Sequence, residues 1–193
     1  MSHRILSNYT LSPALTNPAL WSLLGHIGQE KNVSAGTQLF AADSEPQHCY
    51  VILQGLLRQY YPSAQGRERN KNFFREGQLA GSLSAWLTQS SCPYELQALE
   101  DSILWEMPVN QLHKLQNEPS IQDMLDKTTR ELFLRNEQRE AVLLTKSGEE
   151  RYQWLLGNEA WIAERLPQYH IASYLGMDAV SLSRIKAKLK TTT

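Results

Sequence analysis

Near the C-terminal end, Arg184, Lys186, Lys188 and Lys190 place four cations within seven residues, just after an apolar pattern at Ile171, Leu175, Met177, Leu182 and Ile185. Those spacings predict two short helices set at an angle. Ala172 lies where the helices approach, Gly176 at the turn, and Asp178 where a carboxylate can accept from the free N–H groups of the second helix. This is the spacing of a helix-turn-helix, whose second helix enters a DNA major groove. Ordinary helical hairpins share it, so spacing alone leaves both readings open.

Charge distribution bears on the choice. The 193-residue chain has a formal net charge of −1, so any polyanion-binding surface must be a local patch. Residues 145–193 hold seven Lys or Arg against five acids, which leaves the first 144 net acidic and the basic surplus at one end. Two cysteines, Cys49 and Cys92, form neither a metal-ligand spacing nor a CxxC pair. A reducing cytoplasm is the expected location, given no signal-like apolar core in the first residues and no 18-residue apolar run, so no membrane partner is expected. No acid, histidine and nucleophile share one rim, and no glycine loop precedes a lysine, so neither a catalytic residue nor an enzyme is expected.

The elements that must carry the cationic end change texture along the chain. Residues 17–29 predict a short helix. From 33 to about 110, short apolar runs alternate with turns every eight to twelve residues, as in a sandwich or barrel. Expected strands are 37–41, 48–53, 56–61, 69–75, 94–99 and 102–107, with short helices at 81–87 and 109–115. Pro119 sits near the first position of a long helix ending near 144. Its stripe is Ile121, Leu125, Thr128, Leu132, Arg135, Arg139 and Val142, broadened by Met124, Leu134 and Leu143. At roughly 36 Å for about 24 residues it exceeds what a small barrel needs, so part of that face is expected to meet another subunit. Residues 149–158 open a further helix, with Tyr152, Leu155 and Leu156 as core contacts. Among the five tryptophans, read as packing residues, Trp86 is the one with a second reading as a ligand wall.

Four stretches carry a resemblance: CYVILQGLLRQYY (49–61), FFREGQLAGSL (73–83), ALEDSILWEMP (98–108) and LPQYHIASYLGMDAVSLSRIKAKL (166–189). In this order they resemble the cyclic-AMP receptor and fumarate–nitrate regulator (Crp/Fnr) superfamily of bacterial transcription factors, over nearly the whole chain. The resemblance implies an α+β fold: an N-terminal double-stranded β-helix (jelly-roll, cyclic-nucleotide-binding-like) barrel, a long dimerisation helix and a C-terminal winged helix-turn-helix. The expected boundaries are 1–118 for the sensory barrel with its N-terminal helix, 119–144 for the dimerisation helix, and 145–193 for the DNA-binding domain.

In nucleotide-binding members of that family, a Gly-Glu pair receives the ribose, and an Arg followed by Ser or Thr clamps the cyclic phosphate. Here Gly81 matches the glycine, Ser82 and Leu83 follow it, Cys92 takes the arginine's place and Pro93 the hydroxyl's. An anion buried there would lack its counter-charge, unless Arg67, Arg69 or Arg75 substitutes. The expected barrel is therefore not a standard cyclic-AMP binder. The iron–sulfur branch needs N-terminal cysteines that are absent. His26, His48, His113 and His170 are read as structural rather than as haem ligands, so no cofactor or metal is expected.

By the same resemblance the second helix runs from Ala179 to about Lys190. Arg184 matches a base-reading arginine, and a guanidinium fork suits guanine O6 and N7. Ala179 and Val180 stand where the cyclic-AMP receptor has an arginine and a glutamate, which implies a different operator. Gln168, Tyr169, His170, Ser181 and Ser183 are expected phosphate or edge contacts, and Lys186 and Lys188 phosphate contacts. The partners expected are double-stranded DNA with a near-palindromic operator and a second copy of the chain through 119–144. RNA polymerase and an unidentified small-molecule effector stand as further open partners. Two alternatives stay open: a ligand-responsive regulator with an atypical pocket, and a ligand-binding or interaction protein that no longer binds DNA.

Overall fold

The run HCYVILQ is apolar at nearly every position because it is sandwiched between two cores. In the computed structural model, which describes residues 7–62, 66 and 68–191, this strand is β3 (His48–Gln54). Tyr50 and Ile52 point into one core, and Cys49, Val51 and Leu53 into the other. The period-2 alternation of a strand thus distributes one sequence between two faces.

Among the described residues eight strands form the barrel: β1 (Gln29–Val33), β2 (Gln38–Phe40), β3, β4 (Leu57–Tyr61), β5 (Arg69–Phe74), β6 (Leu79–Ala80), β7 (Glu95–Ala98) and β8 (Ser102–Pro108). They make two antiparallel four-stranded sheets in the orders β1-β8-β3-β6 and β2-β7-β4-β5, the arrangement of an eight-stranded jelly roll. Between the sheets lie Phe40, Tyr50, Ile52, Leu57, Phe74 and Leu104. β1 and β6 are absent from the strands predicted by sequence. β1 is an edge strand in which only Val33 is buried, and β6 has two residues, so neither shows a periodicity.

Helix α1 (Pro18–Ile27) covers the outer face of the first sheet, with Trp21 edge-on to Trp105 at 6.0 Å between centroids. Helices α2 (Leu83–Thr88) and α3 (Val109–Lys114) flank the barrel. The long helix α4 (Pro119–Thr145) begins on Pro119 and buries Ile121 and Met124 in the same outer core. Along the predicted stripe Ile121, Met124 and Val142 are buried against this chain, while Leu134, which broadens it, stays exposed. The side facing away presents Leu134, Ala141 and Leu144, with Leu144 77 % exposed.

Beyond α4, Ser147 caps α5 (Gly148–Asn158) in a reciprocal capping box with Glu150. Helix α6 (Ala160–Arg165), not predicted, precedes α7 (Gln168–Tyr174) and α8 (Ala179–Thr191). No strand occurs among the described residues after Pro108, so the expected wing has no counterpart among them. No described helix is long and apolar enough to cross a membrane.

β5 is an edge strand, and its free backbone groups are covered by later helices instead of being left to pair with another chain. The Ser173 hydroxyl accepts from the Asn70 N–H at 3.0 Å and donates to the Glu68 carbonyl at 2.9 Å. Arg139 of α4 donates to the carbonyls of Lys71 (3.2 Å), Asn70 (3.1 Å) and Tyr174 (3.0 Å). One guanidinium therefore joins barrel, long helix and α7. Arg165 makes a second junction, bidentate to both Glu76 and Glu100 at 2.6–2.8 Å.

Candidate nucleic-acid interface and barrel cavity

Leu182 is fully buried, and with Ile171, Ala172, Leu175 and the partly buried Ile185 it joins α7 to α8 in one core. The turn between them uses Gly176 at φ +68°, a left-handed conformation that favours glycine. Asp178 accepts from the Ser181 N–H at 2.7 Å and from its hydroxyl at 2.8 Å, closing the first turn of α8. Gln168 braces the pair by donating to the Ala179 carbonyl at 2.9 Å. The arrangement is a rigid bihelical wedge.

This packing sets the outer face of α8. Val180, Ser183, Arg184 and Ala187 recur at i, i+3, i+4 and i+7, and all are exposed, as is Ala179. Arg184 makes no hydrogen bond or ion pair among the described residues, so its fork is open to solvent. Lys188 is exposed but paired with Glu149 at 2.6 Å, and Lys186 reaches over the Tyr152 ring at 6.0 Å. Tyr169 is exposed, 60 %. Such a face can offer a bidentate donor flanked by small side chains that let it approach a groove.

The structure separates three sequence-predicted contacts from that face. His170 is buried: Asn70 Nδ2 lies 3.2 Å from its Nδ1 and donates to its carbonyl at 3.0 Å. Gln168 and Ser181 spend their polar groups on the brace and the cap. Sequence spacing put His170 beside Tyr169 at the helix start but could not show that α7 lays its His170 side on β5. The bridging roles of Asn70, Arg139 and Arg151 left no sign in the sequence. Arg151 donates to the carbonyls of Lys146 (2.9 Å), Leu175 (3.1 Å) and Leu143 (2.8 Å), spanning the break after α4. Its partner carbonyls leave no mark on side-chain patterns.

His170 makes this docking acid-sensitive. Burial, with the nearby Arg58 cation adding to it against the opposing Glu68, pushes its imidazole down to about 4. An unfolded histidine binds its proton near pH 6.5, so below that pH the unfolded state takes up protons that the folded state refuses. The stabilisation is complete above pH 6.5 and lost as pH falls towards 4. Thermal melts should show a lower midpoint at pH 4.5 than at pH 7.5, and His170→Gln should shrink that difference. An unchanged difference in the variant would assign it to other groups.

The predicted ligand residues split. Ser82 caps α2 and meets the Tyr94 hydroxyl at 2.8 Å. Cys92 is fully buried with its thiol directed at the Tyr94 carbonyl, 3.3 Å away. Tyr94 and Phe40, 6.3 Å apart between ring centroids, pack into the same inner core as Cys92. Gly81, Ser82 and Leu83 do line a cavity of about 320 Å³, but it lies between α2, α3, β3 and α4, and neither Cys92 nor Pro93 reaches it. Arg69 and Arg75 do not line it either, Arg75 lying over the Trp161 ring, and Arg67 falls outside the described residues. Among the described residues no group of three His, Cys, Asp or Glu could hold a metal ion. His26 is exposed, and His113 stacks on Trp86.

Residues 30–118 match the family model for the cyclic nucleotide-binding domain. FixK2 of Bradyrhizobium japonicum superposes with a TM-score of 0.74 at 20% identity, over 86% of each chain. The c-di-GMP-responsive global regulator CLP of Xanthomonas campestris gives 0.77 at 14% identity, over 91% of this chain and 93% of that one. A transcriptional regulator of the Crp/Fnr family from Eubacterium rectale gives 0.71 at 18%, over 91% and 84%. This is the Crp/Fnr fold. No curated protein matches the chain in sequence. The Crp/Fnr likeness spans the barrel, the long helix and the bihelical end together, since coverage exceeds the family-model segment by far.

Proposed function

We propose that the protein is a sequence-specific DNA-binding transcription regulator that acts as a homodimer, with a barrel that is not a standard cyclic-AMP binder. The observation that carries the reading is the solvent-facing row on α8, with Arg184, unpartnered among the described residues, at its centre and a fixed hydrophobic back. In this reading 1–118 is the sensory barrel, 119–144 the dimerisation helix and 145–193 the DNA-binding unit. Arg184 reads a base edge, Ala179, Val180 and Ser183 line the contact, and Tyr169, Lys186 and Lys188 attend to phosphates.

Dimerisation is assigned to the outward side of α4, where Leu134, Ala141 and Leu144 recur at a spacing that forms a helical seam. Two α8 helices would then enter successive major grooves, about 34 Å apart. The break at 145–148 is the hinge through which an effector would change their separation. Replacing the 145–148 break with a rigid helical fusion should abolish any effect of an effector on DNA affinity; an unaltered response would place the hinge elsewhere.

Arg184→Ala tests the DNA reading. The side chain is exposed and unpaired among the described residues, so the fold should keep its melting midpoint. Affinity for a selected site should drop by about 1–3 kcal/mol, roughly 5- to 150-fold, while random duplex is bound almost as before. Equal loss on both duplexes would make Arg184 a phosphate contact and refute its role in sequence reading.

A further inference from the structure

We infer that the cavity between α2, α3, β3 and α4 is a binding site for an uncharged or cationic two-ring aromatic molecule. The inference deepens the effector part of the function proposed above, and it can be tested without DNA.

Cys92, at the arginine's place, is buried in the inner core, and neither it nor Pro93 reaches the cavity, so neither offers a counter-charge to an anion there. The 320 Å³ cavity is the other side of the same short helix: Ser82 turns its hydroxyl to Tyr94, while α2 turns Trp86 outward to the cavity. A roughly 150 Å³ apolar cavity holds one benzene ring, so about twice that volume suits two fused rings. The walls agree with this shape. Trp86 and His113 stack face to face, with planes 1° apart and centroids at 3.6 Å, and both rings line the cavity. The floor is apolar, made by Cys49, Leu79, Ala85, Leu112, Leu125 and Leu132.

The lining also selects for charge. It contains no Lys or Arg, and its one acidic residue, Glu45, stands exposed at the rim with no ion pair among the described residues. An anion would enter against a carboxylate with nothing to neutralise it, whereas a cation would gain from Glu45 and from the aromatic face. Thr128 and Thr129 of α4 line the cavity, and neither makes a side-chain hydrogen bond among the described residues. They are the polar points that would fix a ligand's orientation, as a mostly apolar pocket with few polar groups does. Burial raises the Cys49 thiol to about 12, so the floor offers a neutral S–H and no nucleophile.

Location gives the site a consequence. Thr128, Thr129 and Leu132 belong to the helix that, one to two turns later, carries Arg135 and then Arg139, the residues bonded to β5 and Tyr174. A molecule seated there joins barrel and long helix directly above the junction with the bihelical wedge.

The experiment is calorimetric titration of the full chain with three probes of one shape: 2-naphthol, 2-naphthylmethylamine and 2-naphthoate. The first two should bind saturably at one site per chain, with 2-naphthoate at least tenfold weaker. Glu45→Gln should weaken the amine about threefold or more and leave the naphthol unchanged. Thr129→Trp, which fills the cavity, should abolish binding of both, and circular dichroism would confirm that it is folded. Asn110→Trp, at the rim, should do the same should the first variant fail to fold. Saturable binding of all three probes with equal affinity, binding that survives both filling variants, or no binding up to the solubility limit of the probes would overturn the assignment.

Discussion

Replacing Arg139 by alanine should destabilise the protein by about 3–5 kcal/mol and free the bihelical wedge from the barrel. The guanidinium donates to three backbone carbonyls, on Asn70, Lys71 and Tyr174, and lies 4.2 Å over the Tyr174 ring. Burial lowers its pKa, yet an arginine stays charged under any ordinary condition. Removing it leaves carbonyls turned into a pocket with no donor, and charged hydrogen bonds of this kind contribute about 1.5–3 kcal/mol each before non-additivity. It also uncovers part of the β5 edge, so the variant should aggregate on heating. Differential scanning calorimetry should show the single transition lowered by about 10 °C, or split into barrel and wedge. A midpoint within 2 °C of the parent would mean that the helices hold the edge without it.

Leu182→Ala should be the complementary lesion. Leu182 is fully buried in the core shared by α7 and α8, and truncating such a leucine costs about 2–5 kcal/mol. The loss falls on a wedge with few core residues, so α8 would no longer hold its outward row in register. DNA retention should vanish on selected and random duplexes alike, unlike the selective loss expected for Arg184→Ala. Mobility-shift titrations of both variants side by side separate positioning from contact. Intact binding by Leu182→Ala would show that the wedge is not what presents Arg184.

The contrast between these residues explains how much was legible in the chain. Leu182 and Ile185 announced their role because a helix repeats every 3.6 residues, and the pattern needs no knowledge of distant partners. Asp178 was readable as a cap for the same reason, its partner being three residues away. Six of the strands showed themselves by apolar runs between turns. β1, with Gln29, Glu30, Lys31 and Asn32 leading to one buried valine, could not, because pairing with β8 defines it.

The candidate site was half readable. The exposed row of α8 follows from knowing which positions pack inward. His170 and Arg139 belong to contacts across 100 and 69 residues of sequence, and tertiary docking leaves no local period. The ligand residues divided likewise. Gly81 and Ser82 marked the right helix, but the chain alone could not show that Tyr94 closes one side of it while Trp86 and His113 open the other. A resemblance fixes where a pocket used to be, and only packing shows which pocket is open.

Enrichment of bound duplexes from a random pool, read by sequencing, tests the central claim most directly. The expected result is a near-palindromic consensus whose half-sites are centred about 10–10.5 base pairs apart, with a guanine that loses its enrichment in Arg184→Ala. Binding that yields no consensus at low salt, or a consensus that Arg184→Ala leaves intact, would contradict it.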